Sequence, residues 1–393
     1  MLYDPYSRAI QEDPFSAYRH FLEDEPCTYN PKMDFYALFR FEDVWRATVV
    51  WQTCSSSLGP SLENRGQLPG ELFSIIGLDP PRHTRLRNLV SRGFTPNRIA
   101  ALENDVRRLA AHYLDPLRGE ARFDVQQAFA VKLPMDVISV LLGIPEADRD
   151  AYRDTVDRGL QRDPDTGRPA PENLGMLGKS RAYVLHLLAE RRKQPRDDLI
   201  SVLADAEYEE ADGRKRRLSD DEVAAFTTLL AAAGAETTAK LIGNLVVYLS
   251  RHPDQRRWVF EDAAARLPGA VEEALRYDAP SQFQGRVAMR DVTYHGVEVP
   301  EGARVALVTG AASRDRREFP EPDRFDVRRR PERSIYFGHG HHLCLGKSLA
   351  RLEARVAMEE LVRRWPDWRV DESGLTRTYQ AHVRGFHNVP LVA

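Results

Sequence analysis

The stretch Phe337-Gly338-His339-Gly340-His341-His342-Leu343-Cys344-Leu345-Gly346 places three glycines and three histidines around one cysteine. An amphipathic helix follows: Leu345, Leu349, Leu352 and Val356 recur at spacings of four, three and four, the period of one helix face. Cys344 therefore stands at a helix N-terminus, where free N–H groups and the positive end of the macrodipole favour a thiolate. The glycines admit backbone conformations that other residues resist, so amides can turn toward the sulfur and a flat group can lie beside it. A metal-bound thiolate suits this pattern. Three other readings stand beside it. One is a structural cysteine in a glycine-rich turn. Another is a zinc site of His339, His341, His342 and Cys344, although structural zinc draws its ligands from two separated pairs. The third is a cysteine nucleophile.

Upstream, Ser219 and Glu222 form a capping box ahead of an apolar-rich run that ends at His252-Pro253. A helix of thirty-odd residues, reaching about Ser250, is roughly 47 Å long at 1.5 Å per residue, enough to cross a domain of this size. Its middle reads Ala231-Ala232-Ala233-Gly234-Ala235-Glu236-Thr237-Thr238. Small side chains let a flat group approach the helix backbone, and they equally suit a close helix crossing. The Thr237 hydroxyl is placed to bond the Ala233 carbonyl one turn back. Packing alone explains the Glu-Thr-Thr trio poorly.

Further helical periodicity covers 98–115, 133–142, 181–192, 269–277 and 346–364. Strand patterns are short, at 35–39, 292–299 with a turn at Gly296, 305–308 and the tail beyond 379. The chain therefore reads as mainly α with small peripheral sheets. Segment 161–178, rich in proline and glycine, reads as a long loop of the kind that serves as a lid. With no repeat and no linker, one domain over residues 1–393 is expected.

Composition narrows the partners. With 393 residues and 42% hydrophobic content the chain can bury a large core. The 56 basic and 59 acidic residues leave a net charge of -3, so no global field favours nucleic acid or an anionic membrane. Cys27, Cys54 and Cys344 are too few and scattered for a disulfide framework. The first thirty residues hold neither a signal peptide nor a membrane anchor, and mean hydropathy is -0.49. A cytoplasmic, monomeric protein without an anchor is expected.

The pattern Phe-Gly-x-Gly-x-His-x-Cys-x-Gly, filled by Phe337, Gly338, Gly340, His342, Cys344 and Gly346, resembles the haem-binding loop of the cytochrome P450 family, soluble bacterial type. The resemblance implies a haem b cofactor (iron protoporphyrin IX) with Cys344 as the axial ligand of its iron. Ala233-Gly234-Ala235-Glu236-Thr237-Thr238 resembles the family's acid–alcohol motif. There Ala233 and Gly234 lie against the haem, while Glu236 and Thr237 deliver protons to the dioxygen being activated. Glutamate replaces the commoner aspartate. Glu273 and Arg276 resemble the Glu-x-x-Arg pair, and Arg324, in Pro322-Asp323-Arg324-Phe325, resembles the arginine that completes a buried triad with it. His83, Arg87, Arg286 and His342 resemble the set that holds the haem propionates, which need cationic or hydrogen-bonding partners once buried. The motifs follow the family's order along nearly the whole chain.

The resemblance implies a haem-thiolate monooxygenase of the single-domain helical-prism fold. Electrons would come from a separate ferredoxin and ferredoxin reductase, for which Lys347, Arg351 and Arg355 form a basic stripe behind Cys344. Phe283 and Gln284, with segments 58–76, 161–178 and 382–386, would line the pocket for a fairly large hydrophobic substrate of terpenoid, polyketide or fatty-acyl type. A haem protein that binds or senses a small molecule without turnover is the alternative from another class, and Glu236 with Thr237 argues against it, because binding alone needs no proton relay. A peroxide-driven peroxygenase normally lacks that pair.

Overall fold

The computed structural model describes residues 1–59, 62, 75–161, 173, 175–210 and 213–393. These are mostly helical, with short strands gathered in small sheets. They form two compact units: Met1–Pro80 with Val247–Cys344 and Arg377–Phe386, and Pro81–Val246 with Leu345–Thr376 and His387–Ala393.

The first unit is built on a five-stranded sheet in the order Cys27–Asn30, Phe35–Leu38, Arg304–Leu307, Gln284–Ala288, Cys54–Ser55. Arg304–Leu307 runs parallel to Phe35–Leu38 and antiparallel to Gln284–Ala288, which sets Val305 opposite Arg286. Such short strands cannot hold a register by themselves, and aromatic packing supplies the rest. Tyr3, Tyr18, Phe21, Phe35 and Phe39 are buried in one cluster, with the Phe21 and Phe39 rings stacked at 4.4 Å. The predicted hairpin at 292–299 turns through His295 and Gly296, whose φ values of 53° and 82° give the left-handed pair that a two-residue turn requires.

The second unit is helical. The predicted segments appear as Pro96–Ala101 and Glu103–Leu114, Lys132–Leu142, Met176–Lys193 and Lys347–Arg364. Helix Lys347–Arg364 packs on Glu103–Leu114, and each buries one face, Leu349, Leu352 and Val356 on the first and Val106, Leu109 and Ala110 on the second. Ion pairs edge this contact. Arg355 meets Glu103 at 2.7 Å and Glu359 at 2.8 Å, and Arg107 meets Glu103 at 2.7 Å.

Helix Asp220–Arg251 runs unbroken for 32 residues. Its start is the predicted capping box: the Ser219 amide donates to Glu222 at 2.9 Å, and the Glu222 amide donates to the Ser219 hydroxyl at 3.2 Å. Asp220, Asp221 and Glu222 add negative charge at the positive end of the helix. No helix among the described residues is long and apolar enough to cross a membrane. Most of the expected lid, 162–172 and 174, lies outside the described residues, as do 60–61 and 63–74 of the 58–76 segment.

Candidate active site

Within the first unit the three cysteines differ in kind. Cys27 and Cys54 are buried and Cys344 is exposed. Burial pushes the Cys27 thiol up to about 12 and moves Cys54 the same way, so neither serves as a thiolate near neutral pH. The loop that carries Cys344 is held by its own backbone: the Cys344 amide donates to the Phe337 carbonyl at 2.8 Å, and the Leu343 amide to the Gly340 carbonyl at 3.2 Å. Gly338 and Gly340 have φ of 74° and 66°, and a Cβ on Gly340 would sit 2.9 Å from the Thr48 carbonyl, so both positions exclude larger residues. The His339 ring stacks on Trp45 at 3.5 Å and docks the loop on helix Phe41–Val49. Regular helix begins only at Lys347, with Gly346 as N-cap, so Cys344 stands just ahead of the helix and not in its first turn. Among the described residues no group of three or more His, Cys, Asp or Glu is placed to hold a metal ion, which removes the four-ligand zinc reading.

Arg286 tests whether this unit suits a haem. It is 4% exposed, and its guanidinium donates to the Gly285 carbonyl at 2.7 Å and the Gln284 side-chain oxygen at 3.2 Å. The acid in its electrostatic reach, Asp79, accepts from Ser55 and from the Ser56 amide. Burial therefore lowers Arg286 to about 10. Among the described residues its hydrogen-bond partners are neutral oxygens; a cation buried in this way is costly, and a carboxylate such as a haem propionate would offset it.

Gln284 joins Arg286 to the cysteine loop: a Cβ on Gly338 would lie 3.3 Å from Gln284 Nε2. Its side-chain oxygen accepts from Arg286, so Gln284 stands between that cation and the loop. Phe283 is 2% exposed inside the aromatic cluster, with its ring 4.3 Å from that of His382.

Glu273 and Arg276 form the expected pair, joined by two bonds of 2.8 Å with both side chains almost fully buried. The Arg324 side chain does not complete the triad. It is 57% exposed and faces Glu321, and only its backbone carbonyl accepts from Arg276. Arg329 reaches Glu273 instead, with Nε 3.3 Å from the carboxylate. Sequence reasoning stopped at the Pro-Asp-Arg-Phe pattern, although three further arginines, Arg328 to Arg330, follow within six residues.

In the second unit the middle of the long helix is as the sequence predicts. Thr237 Oγ1 donates to the Ala233 carbonyl at 3.0 Å. Ala233 is exposed and Gly234 half-buried, and a Cβ on Gly234 would meet only Ile138, at 3.8 Å. That face has room for a flat group to lie on the backbone. On helix Arg82–Ser91, His83 is buried and Arg87 half-buried. The basic stripe loses Arg355, which is consumed by Glu103 and Glu359.

A family model described as Cytochrome P450 matches residues 179–375. The chain is 39% identical to the putative cytochrome P450 123 of Mycobacterium tuberculosis, across 100% of this chain and 96% of that protein. It is 37% identical to the vitamin D(3) 25-hydroxylase of Pseudonocardia autotrophica, across 99% and 96%. The solved structure of the bacillaene polyketide synthase cytochrome P450 of Bacillus subtilis 168 superposes with a TM-score of 0.89 at 30% identity, covering 100% and 99% of the two chains. With 39% identity across the whole chain, the chain belongs to the cytochrome P450 family of haem monooxygenases.

Proposed function

We propose that the chain is a single-domain, monomeric enzyme that binds haem b through Cys344 and oxidises a fairly large hydrophobic small molecule by hydroxylation or epoxidation. The observation that carries the ligand assignment is the contrast among the cysteines: the exposed one stands on the glycine-shaped loop, and the buried two are held as thiols. Once bound, the haem supplies the activation of dioxygen. The chain supplies the rest. Phe337, Gly338 and Gly346 shape the loop around the sulfur. Arg286, with His83, Arg87 and His342, holds the propionates. Ala233 and Gly234 give the haem face room, Thr237 offers a hydroxyl to the developing oxygen charge, and Glu236 passes protons inward from solvent. Glu273, Arg276 and Arg329 brace the loop from behind.

Electrons come from a separate ferredoxin and its reductase, for which Lys347 and Arg351, four apart on helix Lys347–Arg364, offer basic side chains. The names of two relatives, a vitamin D(3) hydroxylase and a polyketide synthase P450, support a bulky, mostly apolar substrate. The test is absorption spectroscopy of the purified protein. Reduction under carbon monoxide should give the strongly red-shifted band of a thiolate-ligated haem, and its absence after reconstitution overturns the ligand assignment. Titration with a secosteroid, a steroid, a macrolactone and a long-chain fatty acid then ranks substrate classes by the spin-state shift each produces.

A further inference from the structure

Lys240 is one turn beyond Glu236 on the long helix, among Leu241, Ile242, Leu245 and Val246, all of them buried. It is 7% exposed. Lysine almost never reaches that depth without compensating charge. Two carboxylates lie within electrostatic reach of its ammonium: Glu236, on its own helix, and Asp157, on helix Arg149–Leu160. Residues four apart on a helix share a face, so Lys240 and Glu236 are neighbours by construction, and Asp157 joins them from a second helix of the same unit.

We propose that Lys240 is a positioning residue for the proton-delivering acid: its buried ammonium, one turn beyond Glu236 on the same helix face, fixes the Glu236 carboxylate, and Asp157 acts on it at longer range. This rests on the reading of Glu236 as that acid. Asp157 makes the arrangement sensitive to pH. Burial raises its carboxyl to about 6; Glu236 and Asp154 push the same way, while Arg153 and Lys240 oppose them. Above that value Asp157 is an anion and competes with Glu236 for the ammonium. Below it Asp157 is neutral and its pull on the ammonium is gone. Burial meanwhile draws the Lys240 ammonium below its ordinary range, and the two carboxylates restrain that fall.

The test uses full-length, haem-loaded protein with 13C-labelled Asp and Glu side chains, reduced under carbon monoxide so that the haem is diamagnetic. Carboxyl resonances are assigned by their loss in Asp157→Asn and Glu236→Gln. In Lys240→Met both titrations should move upward by about one pH unit, and Lys240→Arg should restore them. Titrations that stay at their wild-type positions overturn the electrostatic link. The same variants are then assayed for peroxide released per electron pair, with whichever of the four panel compounds gives the largest spin-state shift. Lys240→Met should release several-fold more than wild type and Lys240→Arg should not. Shifted titrations with wild-type peroxide release overturn the positioning role. If Glu236→Gln also releases peroxide at the wild-type level, the relay reading of Glu236 is what fails.

Discussion

Arg329 lies 3.3 Å from the Glu273 carboxylate, which Arg276 already grips from the other side at 2.8 Å. The acid is thus held between two guanidiniums, and the Asp326 amide adds a third donor at 2.8 Å. Removing one partner of a buried ionic group leaves the remaining charges poorly compensated. Arg329→Ala should cost about 3 kcal/mol, whereas Arg324→Ala, at an exposed side chain, should stay within about 0.5 kcal/mol of the parent. Urea denaturation of the two variants side by side checks the assignment.

Cys344→Ala should abolish the red-shifted carbon monoxide band, while Cys27→Ala and Cys54→Ala keep it. A Cys344→Ala protein that retained the band would remove this residue as the ligand.

Thr237→Ala deletes a hydroxyl whose bond within the protein runs to the Ala233 carbonyl. That contact adds little to helix stability, so folding should be unchanged. Electrons should instead drain to peroxide, raising peroxide per electron pair by roughly tenfold. Tight coupling in the variant would take Thr237 out of proton delivery.

Arg286→Leu separates the demands of folding from those of the cofactor. Without haem, the variant loses a costly buried cation and should be more stable than the parent by about 1 kcal/mol. With haem the order should reverse, because a propionate loses its partner. Denaturant midpoints of the haem-free and haem-loaded forms give both signs.

Glu353 is buried, its Oε2 has no hydrogen-bond partner among the described residues, and burial pushes its carboxyl well above the ordinary 4.5. The folded chain therefore keeps a proton that the unfolded chain releases. Its contribution to stability is complete below pH 4.5 and declines as pH rises toward the raised folded value. Glu353→Gln should remove this decline, so the variant gains on wild type steadily as pH rises above 4.5. Parallel denaturant midpoints across that range would show it.

Much of this was legible because some patterns have local causes. The capping box at Ser219 and Glu222, the Thr237 bond and the Glu273–Arg276 pair are contacts within one helix turn, and spacing dictates them. What escaped depends on the chain folding back on itself. Arg329 meets Glu273 across more than fifty residues of sequence, and nothing in Arg328-Arg329-Arg330 says which one turns inward. Helix Arg149–Leu160 was missed because charge dominates it and only Tyr152, Val156 and Gly159 are buried. With that helix went Asp157, and with Asp157 the clue to Lys240. A lysine inside an otherwise apolar stretch of helix was the one available signal.

The stacked rings of His339 and Trp45 give the cysteine loop a built-in optical reporter. An indole 3.5 Å from an imidazole loses emission when that imidazole takes up a proton and changes it again when the two rings part. Among the described residues Trp45 is the tryptophan in ring contact with this loop, so its fluorescence follows the seating of the loop in protein that holds no haem at all. The folding of the ligand loop is thereby observable separately from the colour of the cofactor.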